Sequence, residues 1–306
     1  MTTERAPRRL LIIFNPVAGW RRRRRLAPVL DRLRAHGCAL VLRETQGPGD
    51  AERFAAEVDP AAFDLVVAAG GDGTVNETIN GLATSGLPLA LIPLGTANVL
   101  AAEIGLRPDP AAVARCVAQG EIRPISLAAA NGRRFILMAG AGFDAHVVAG
   151  VSPRMKGWLG KGAYVLSTLR QLVTFEFPTY EVQTDNTTWQ AASVIIANAR
   201  HYGGRFVCAP DASLESATLQ VCLFERVGRL AAIGYAVALF SGRLPEAAGY
   251  RLLEARRIEV RGRPGEPLQG DGDIIGQLNG KFEVLPGALK LAFPGESVEH
   301  TARATR

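Results

Sequence analysis

Four short, largely apolar runs lie in the first 120 residues or so of this 306-residue chain, and three of them lead into a helical pattern. The runs lie at residues 10–14, 39–43, 65–69 and 89–92. The helical patterns lie at residues 23–36, 50–58 (with Asp50 as the cap) and 75–83. Alternation of strands with helices is typical of βαβ units, whose strands run parallel in one sheet. We therefore expect an α/β domain with a parallel sheet over residues 1–124.

The second half of the chain has a different pattern. After Pro124, short strand-like runs alternate with Gly, Pro and polar turns, which predicts a mostly β domain over residues 125–300. The predicted strands lie at residues 135–139, 179–184, 192–197, 219–224, 257–260 and 280–285. Two helices are expected among them, at 163–173 and 230–241, and the second is apolar on one face.

Cysteine usage and hydropathy bear on where the protein works. Cys38, Cys116, Cys208 and Cys222 are far apart and form no C-x-x-C pair, which argues against a disulfide framework and a zinc ribbon. The longest later apolar stretch, Leu230 to Phe240, has 11 residues, whereas a bilayer crossing requires roughly 20. The N-terminal apolar run is too short for a signal peptide. We therefore expect a cytoplasmic protein with reduced thiols and no transmembrane helix.

The net charge of +6 is concentrated at one end, because residues 1–34 alone carry +8. Five consecutive arginines, Arg21, Arg22, Arg23, Arg24 and Arg25, could attract anionic lipid, nucleic acid or a nucleotide phosphate. A solvated helix face is an equally good interpretation of the run alone. Nucleic acid is not favoured, since no aromatic interleaving, helix-turn-helix spacing or zinc pattern accompanies the arginines.

A glycine-rich loop, GGDGTVNE at residues 70–77, lies at a predicted junction between strand and helix. Glycines allow backbone N–H groups to approach an anion, and the N-terminus of the helix favours negative charge, so a phosphate fits here. A plain turn would also explain this loop in isolation. The loops at 15–19, 44–51 and 93–98 end the other three strands, and all four converge at the carboxyl edge of a parallel sheet.

Several standard chemistries are not indicated. The loop spacing is neither that of a P-loop nor that of a dinucleotide fingerprint, and the H-R-D and D-F-G motifs of protein kinases are missing. The four histidines have no zinc-ligand spacing, and the serines lack a G-x-S-x-G elbow. Zinc and serine hydrolases are therefore disfavoured.

In order along nearly the whole chain, short blocks resemble the diacylglycerol kinase catalytic domain of bacterial lipid kinases and sphingosine kinases. The blocks are NPVAG at 15–19, ET and GDA within 44–51, GGDGTVNE at 70–77, PLGTANVLA at 93–101, GAGFDA at 140–145, GKGAY at 160–164, NARHYGG at 198–204, APDASL at 209–214 and GDGD at 270–273. The resemblance implies a Rossmann-like α/β domain of the NAD kinase and phosphofructokinase type, a β-sandwich-like second domain, and ATP in the cleft between them.

The resemblance also implies roles for individual residues. Those implied to bind the nucleotide are Asn15, Thr45, Gly70, Gly71, Asp72, Gly73, Thr74 and Thr96. Asp72 would face the metal-bound nucleotide, and Asp271-Gly272-Asp273 matches a segment, usually Asp-Gly-Glu, that holds the catalytic base. Asp72, Asp271 and Asp273 are thus the candidate catalytic residues. Which aspartate of the segment is the base stays open, and a plain β-turn is the alternative interpretation of residues 270–272.

The sequence departs from the family pattern at a position that binds metal in relatives. Relatives usually have an Asp-Gly pair after the A-P-x-A segment, and its aspartate helps to bind a structural Mg²⁺, whereas Ser216 stands at that position here. Serine is a poor magnesium ligand, so we expect this site to be lost unless Glu215 is redirected toward it. Mg²⁺ that arrives with ATP is a separate matter.

Together these features predict an ATP-dependent lipid kinase that phosphorylates the hydroxyl of diacylglycerol or a related lipid. A soluble small-molecule kinase of the NAD kinase type is one alternative, since that family has a similar GGDGT loop. A non-catalytic protein that binds nucleotide or lipid is another, because Asp273 replaces the usual glutamate and the Asp-Gly pair at Ser216 is lost. We expect the arginines at 21–25 to contact anionic membrane at its inner face, and a homodimer is left open.

Overall fold

The computed structural model of the chain describes residues 8–16, 20–151, 161–185 and 187–295. The α-helices described are α1 Trp20–Ala35, α2 Asp50–Ala56, α3 Asp72–Gly81, α4 Val99–Glu103, α5 Pro110–Gln119, α6 Phe143–Ala149, α7 Lys161–Thr174 and α8 Arg229–Phe240, with short 3₁₀ turns at Leu82–Thr84 and Leu244–Glu246. The strands of the N-terminal part are β1 Arg9–Phe14, β2 Ala39–Glu44, β3 Leu65–Gly70, β4 Leu89–Pro93 and β5 Glu121–Ala130. The strands that follow are β6 Arg133–Phe135, β7 Met138–Gly142, β8 Tyr180–Gln183, β9 Thr188–Ala191, β10 Ser193–Ala197, β11 His201–Tyr202, β12 Phe206–Val207, β13 Leu219–Phe224, β14 Tyr250–Ala255, β15 Arg257–Arg261, β16 Pro267–Gly270, β17 Asp273–Gln277 and β18 Gly280–Phe293.

The N-terminal part is built on four parallel strands in the order β2-β1-β3-β4. Ile12 of the central strand β1 lies opposite Leu42 on one side and Val67 on the other. Strands β1, β3 and β4 are almost completely buried because helices cover the sheet, and this explains their continuous apolar sequences. The prediction of an α/β domain with a parallel sheet is confirmed.

The C-terminal part is a sandwich of antiparallel strands. One layer has the order β14-β13-β10-β7-β16-β17, and the other extends the first sheet through β18, β15, β8 and β9, with β5 and β6 attached. Phe135, Tyr180, Val194, Leu219 and Phe282 are buried between the layers. The predicted mostly β, sandwich-like domain is confirmed.

Strand β18 connects the two parts, because its Leu291 pairs in parallel with Leu89 of β4 while its first half pairs with β15. The last strand of the chain therefore belongs to the same ten-stranded sheet as the N-terminal strands. The boundary that we placed at residue 124 stays a prediction.

The prediction of a single strand at residues 135–139 was wrong. Strand β6 ends at Phe135 and β7 begins at Met138. The backbone amides of Ile136 and Leu137, between the two strands, donate to the side chain of Asp271 instead of to a neighbouring strand. The strand is therefore broken by a carboxylate 135 residues away in sequence.

The start of α2 also differs from the prediction. Gly49, in the left-handed conformation with φ of 84°, is the N-cap, and Asp50 is the first helical residue. The Asp50 carboxylate accepts hydrogen bonds from the backbone amides of Gln46 and Gly47 and thus braces the preceding loop. Gly49 can take this conformation without the steric cost that a side chain would add.

Candidate active site

The glycine loop after β3 and the loop after β4 lie directly against each other. The Gly70 carbonyl accepts hydrogen bonds from the amides of Leu94 at 2.8 Å and Gly95 at 3.1 Å. A Cβ on Gly95 would stand 2.5 Å from the Gly71 Cα atom, and real Cβ atoms do not approach that closely. Glycine is therefore required where the two backbones touch, and the contact holds both loops at the carboxyl edge of the sheet.

Asp72 anchors the second of these loops. Its Oδ1 atom accepts a 2.8 Å hydrogen bond from the amide of Val99, at the N-terminus of α4. Burial raises the pKa of the Asp72 carboxyl, and hydrogen bonds from backbone amides, Val99 first, oppose that rise. This structural contact was not predicted from the sequence. The expectation that Asp72 faces a metal-bound nucleotide stays a prediction.

The other residues expected to bind nucleotide follow the neighbouring strands. Asn15 Nδ2 donates to Thr74 Oγ1 at 3.1 Å, which ties the loop after β1 to the first turn of α3. Thr45 is buried directly after β2, and Thr96 is exposed in the loop after β4. Since β1 to β4 are parallel neighbours, these polar side chains share one edge with Gly70 to Thr74.

Two arginines of the basic run turn toward this edge. Arg22 Nη1 donates to the Asn15 carbonyl at 3.2 Å, and Arg25 donates to the carbonyls of Pro93 at 3.1 Å and Leu94 at 3.2 Å. Burial lowers the pKa of the Arg22 guanidinium, and the charge of Arg25 lowers it further. Within the described part of the chain, Arg22 forms no ion pair. A partly buried cation without a carboxylate partner at a phosphate-type loop fits an anionic ligand.

The rest of the basic run is not a uniform charged face. Arg23 makes two hydrogen bonds to the Glu44 carboxylate, at 2.6 and 2.5 Å. The side chain of Arg21 lies outside the described residues. The expectation that Arg21 to Arg25 contact a membrane stays a prediction.

The Asp271 carboxylate fixes the surrounding backbone through four hydrogen bonds. Its Oδ1 atom accepts from the amides of Leu137 at 2.8 Å and Met138 at 3.1 Å. Its Oδ2 atom accepts from the amide of Ile136 at 2.9 Å and from Asn76 Nδ2 at 2.8 Å. Burial raises the pKa of the Asp271 carboxyl, and these hydrogen bonds oppose that rise. A carboxylate has about four acceptor sites, so this group has little capacity left for a substrate proton.

Asp273 differs from Asp271 although only one residue separates them. It is exposed, and its Oδ2 atom lies 3.3 Å from the point where a Cβ on Gly73 would stand. The intervening Gly272 is held on both sides, because its amide donates to Gln269 Oε1 at 3.1 Å and its carbonyl accepts from the Tyr164 hydroxyl at 3.3 Å. The fold thus places the Asp273 carboxylate beside the glycine loop.

Sequence reasoning missed a buried network beneath this turn. Asp144 accepts hydrogen bonds from the Tyr202 hydroxyl and, at 2.6 Å, from Gln269 Nε2. Burial raises the pKa of the Asp144 carboxyl, and these two donors oppose the rise. Gln269 therefore connects Asp144 to the Asp271–Asp273 turn. The blocks GAGFDA and NARHYGG contain Asp144 and Tyr202, so the signal was present without a role for either residue.

A second buried carboxylate connects α4 to the β11 hairpin. Glu103 forms an ion pair with Arg200, Nε to Oε1 at 2.9 Å, and contacts the ring and backbone amide of His201. Its side chain is only 4% exposed. Burial tends to raise the pKa of the Glu103 carboxyl, but the contacts with His201 and Arg200 outweigh it, so the pKa is lowered. These contacts join helix α4 to the C-terminal part.

The position at which relatives carry a magnesium-binding aspartate has a different environment here. Ser216 Oγ lies 2.9 Å from Thr218 Oγ1, and Glu215 lies 3.8 Å from Arg123 as part of an ion pair. Across the described ranges, no three His, Cys, Asp or Glu side chains are grouped as a metal site would require. Loss of the structural Mg²⁺ stays a prediction.

Comparison with known proteins agrees with this geometry. The family model for the diacylglycerol kinase catalytic domain matches residues 9–130, and that for the YegS C-terminal NAD kinase beta sandwich-like domain matches residues 138–293. The chain belongs to the diacylglycerol kinase catalytic-domain family. The expected family, the fold of its two parts and its nature as a kinase are therefore confirmed.

Individual relatives align over most of their length. The diacylglycerol kinase of Bacillus subtilis (strain 168) is 30% identical over 298 residues, which covers 95% of this chain and 98% of the relative. A "Probable lipid kinase YegS-like" of Pseudomonas putida is 33% identical over 274 residues, covering 87% and 89%. The crystal structure of a diacylglycerol kinase from Bacillus anthracis superposes with a TM-score of 0.77 at 25% identity, covering 93% and 96%.

As members of a kinase family, these proteins use ATP as the phosphate donor. The edge of the sheet at which the nucleotide binds stays a prediction. At the family level these proteins are lipid kinases, and the lipid is considered below. Among the helices that the structure describes, none is long and apolar enough to cross a membrane.

Proposed function

We propose that the protein transfers the γ-phosphate of ATP to the hydroxyl of diacylglycerol or a related lipid, between the glycine loop and the Asp271–Asp273 turn. The observation that carries the proposal is the Asp273 carboxylate beside Gly73. A carboxylate next to a phosphate-type loop supplies the two requirements of phosphoryl transfer, which are an anion cradle and a group that accepts the proton of the nucleophile.

The roles of the groups follow from their positions. Backbone N–H groups at the start of α3 would hold the phosphates, where the helix terminus favours negative charge. Asp273 would accept the proton of the lipid hydroxyl while the hydroxyl oxygen forms a bond to the γ-phosphorus. The bond between the γ-phosphorus and the oxygen that bridges it to the β-phosphate breaks at the same time, and ADP leaves. Asp271 would act as a positioning residue, since its hydrogen bonds fix the turn that carries Asp273.

Arg22 and Arg25 are proposed to provide the positive charge that a P-loop lysine provides in other kinases. Both side chains reach backbone carbonyls of the nucleotide loops, at Asn15 and at Pro93 and Leu94. A partly buried guanidinium at this edge favours the bound triphosphate, because pairing with an anion offsets its lost hydration. Mg²⁺ would be held mainly by the nucleotide phosphates and would neutralise developing charge.

Diacylglycerol is our choice of substrate because the relatives from Bacillus subtilis and Bacillus anthracis carry that activity in their names. A small-molecule kinase of the NAD kinase type is less well supported, since the chain matches the diacylglycerol kinase catalytic-domain model and its relatives at 30% identity or more are named diacylglycerol kinase or lipid kinase. Peripheral contact with anionic membrane belongs to the proposal, because a lipid with two acyl chains resides in a bilayer.

The direct test is mass spectrometry of products after incubation of the protein with ATP, Mg²⁺ and a total lipid extract. The proposal predicts a lipid that gains one phosphate, in an amount equal to the ADP released. Phosphorylation of NAD but of no lipid would support the small-molecule kinase. Nucleotide binding without turnover of any lipid would support a non-catalytic relative, in which Asp273, one methylene shorter than glutamate, no longer reaches the nucleophile.

A further inference from the structure

Helices α7 and α8 expose apolar stripes. Of the thirteen large apolar side chains that are exposed in the described residues, eight lie on these two helices. On α8 they are Leu230, Ile233, Val237 and Phe240, three, four and three residues apart, which places them on one face. Leu230 is 86% exposed and Val237 is 62% exposed. Apolar side chains with this spacing usually pack into a protein core. Because they are exposed here, this face of α8 fits an apolar partner.

Helix α7 carries a matching stripe. Val165, Leu166, Leu169 and Val173 are all more than half exposed and fall within about a third of the helix circumference. The two helices are neighbours, because Arg229 Nη2, at the start of α8, donates to the Val173 carbonyl at 2.7 Å. We call these eight exposed side chains on two neighbouring helices the α7–α8 surface.

The charged side chains on the two segments that carry the α7–α8 surface are all basic. Residues 162–174 and 226–243 contain Arg170, Arg226, Arg229 and Arg243 and no acidic residue. The acidic residues that flank the two segments are ion-paired with arginines: Glu176 with Arg263, Glu225 with Arg251 and Glu246 with Arg243. An apolar stripe with basic side chains beside it is the pattern of helices that lie in the headgroup region of anionic bilayers.

The α7–α8 surface also adjoins the candidate base. Tyr164, one residue before the α7 stripe, donates from its hydroxyl to the Gly272 carbonyl at 3.3 Å. Ile274, which follows Asp273 directly, is itself exposed. A bilayer on the α7–α8 surface would therefore lie next to the turn that carries Asp273.

We propose that the α7–α8 surface binds the headgroup region of an anionic bilayer and brings the lipid hydroxyl to Asp273. The choice of a bilayer over a protein partner rests on the proposed lipid kinase activity, on the positive charge and on the contact with the Asp271–Asp273 turn. Leu230 and Val237 enter the boundary of the acyl chains, and the arginines contact lipid phosphates.

The test is flotation of the full chain, without nucleotide, with vesicles of phosphatidylcholine alone and of phosphatidylcholine with phosphatidylglycerol in equal parts. We expect binding to the anionic vesicles, weaker at high salt. The variant Leu230→Glu/Val237→Glu should bind them at least about tenfold less, since each buried apolar side chain contributes a tenfold factor or more. The matched control is Val41→Glu/Leu42→Glu, which changes two exposed apolar residues on the edge strand β2 and should bind as the wild type does.

Activity measurements separate this inference from the proposed function. The Leu230→Glu/Val237→Glu variant should phosphorylate a dispersed short-chain diacylglycerol as the wild type does and lose activity only on vesicles. Unchanged vesicle binding by this variant would overturn the inference and would point to residues 21–25 as the membrane contact. Unchanged vesicle binding with loss of a dimer in sedimentation would assign the surface to a second copy of the chain. Vesicle binding by a wild type that phosphorylates no lipid would overturn the proposed function while the inference stands.

Discussion

Replacement of Asp271 by asparagine tests whether this residue is structural. The carboxylate accepts four hydrogen bonds, two on each oxygen, from three backbone amides and from Asn76. Asparagine keeps one oxygen and places an NH₂ group at the position of the other. The two N–H groups that donated to the replaced oxygen then face an NH₂ group, which cannot accept their hydrogen bonds. Each buried donor without a partner costs about 1–3 kcal/mol. We expect Asp271→Asn to lower the free energy of unfolding by about 2–5 kcal/mol.

Urea unfolding followed by circular dichroism measures this loss, and Asp273→Asn is the matched control. Asp273 is exposed, so its replacement should lower the free energy of unfolding by less than the replacement of Asp271 does. An Asp271→Asn protein with wild-type stability and no activity would refute the reasoning and would make Asp271 a candidate base.

Three further predictions concern the loop contact at Gly95, the guanidinium of Arg22 and the buried carboxylate of Glu103. Gly95→Ala should lower the free energy of unfolding by about 1–3 kcal/mol and weaken ATP binding in a titration, because its Cβ would stand 2.5 Å from Gly71 Cα; unchanged ATP affinity would contradict the loop contact. Arg22→Ala should raise the KM for ATP about tenfold in an ADP-release assay and should change the KM for lipid little. The control Arg34→Ala, at an exposed arginine, should change neither KM. Equal effects of the two variants would mean that only the net charge matters. The lowered pKa of Glu103 means that its contribution to stability is complete above the unfolded pKa of about 4.3 and is lost as the pH falls through the folded value. Glu103→Gln should therefore destabilise the protein by about 1–3 kcal/mol at pH 7 and by progressively less as the pH falls below about 4.3 in urea unfolding, and a pH-independent difference would contradict this.

Local features of the chain were predictable from sequence. Strands β1, β3 and β4 are continuous apolar runs because they are buried on both faces, and composition alone reports this. The glycine loop was predictable because a strand, three glycines and a helix are adjacent in sequence. That the loops after these strands share one edge of the sheet followed from the parallel order of the strands.

Features that depend on distant contacts were not predictable. Nothing near Ile136 indicates that its amide will donate to Asp271, and that bond breaks the expected strand at 135–139. It is also one of the four bonds on which our choice of Asp273 over Asp271 as the proposed base rests. Likewise, five adjacent arginines look equivalent in sequence. Only the packing of α1 against the loops separates Arg22 and Arg25, which reach backbone carbonyls, from Arg23, which pairs with Glu44.

The apolar side chains of α7 and α8 illustrate another limit. Their helical spacing is the same as that of a stripe packed into a core, and sequence alone predicts burial for such a pattern. Whether a stripe faces the core or solvent depends on which elements cover it, and this is decided by the tertiary fold.

The central claim is that Asp273 accepts the proton of a lipid hydroxyl during transfer from ATP. The most direct test is the single-turnover rate of phosphate transfer from ATP to dispersed short-chain diacylglycerol by the wild type and by Asp273→Asn, both saturated with ATP. We predict a rate about 10²–10⁴-fold lower for the variant, as expected for loss of a general base, with unchanged affinity for ATP. A variant that transfers phosphate at the wild-type rate would contradict the claim.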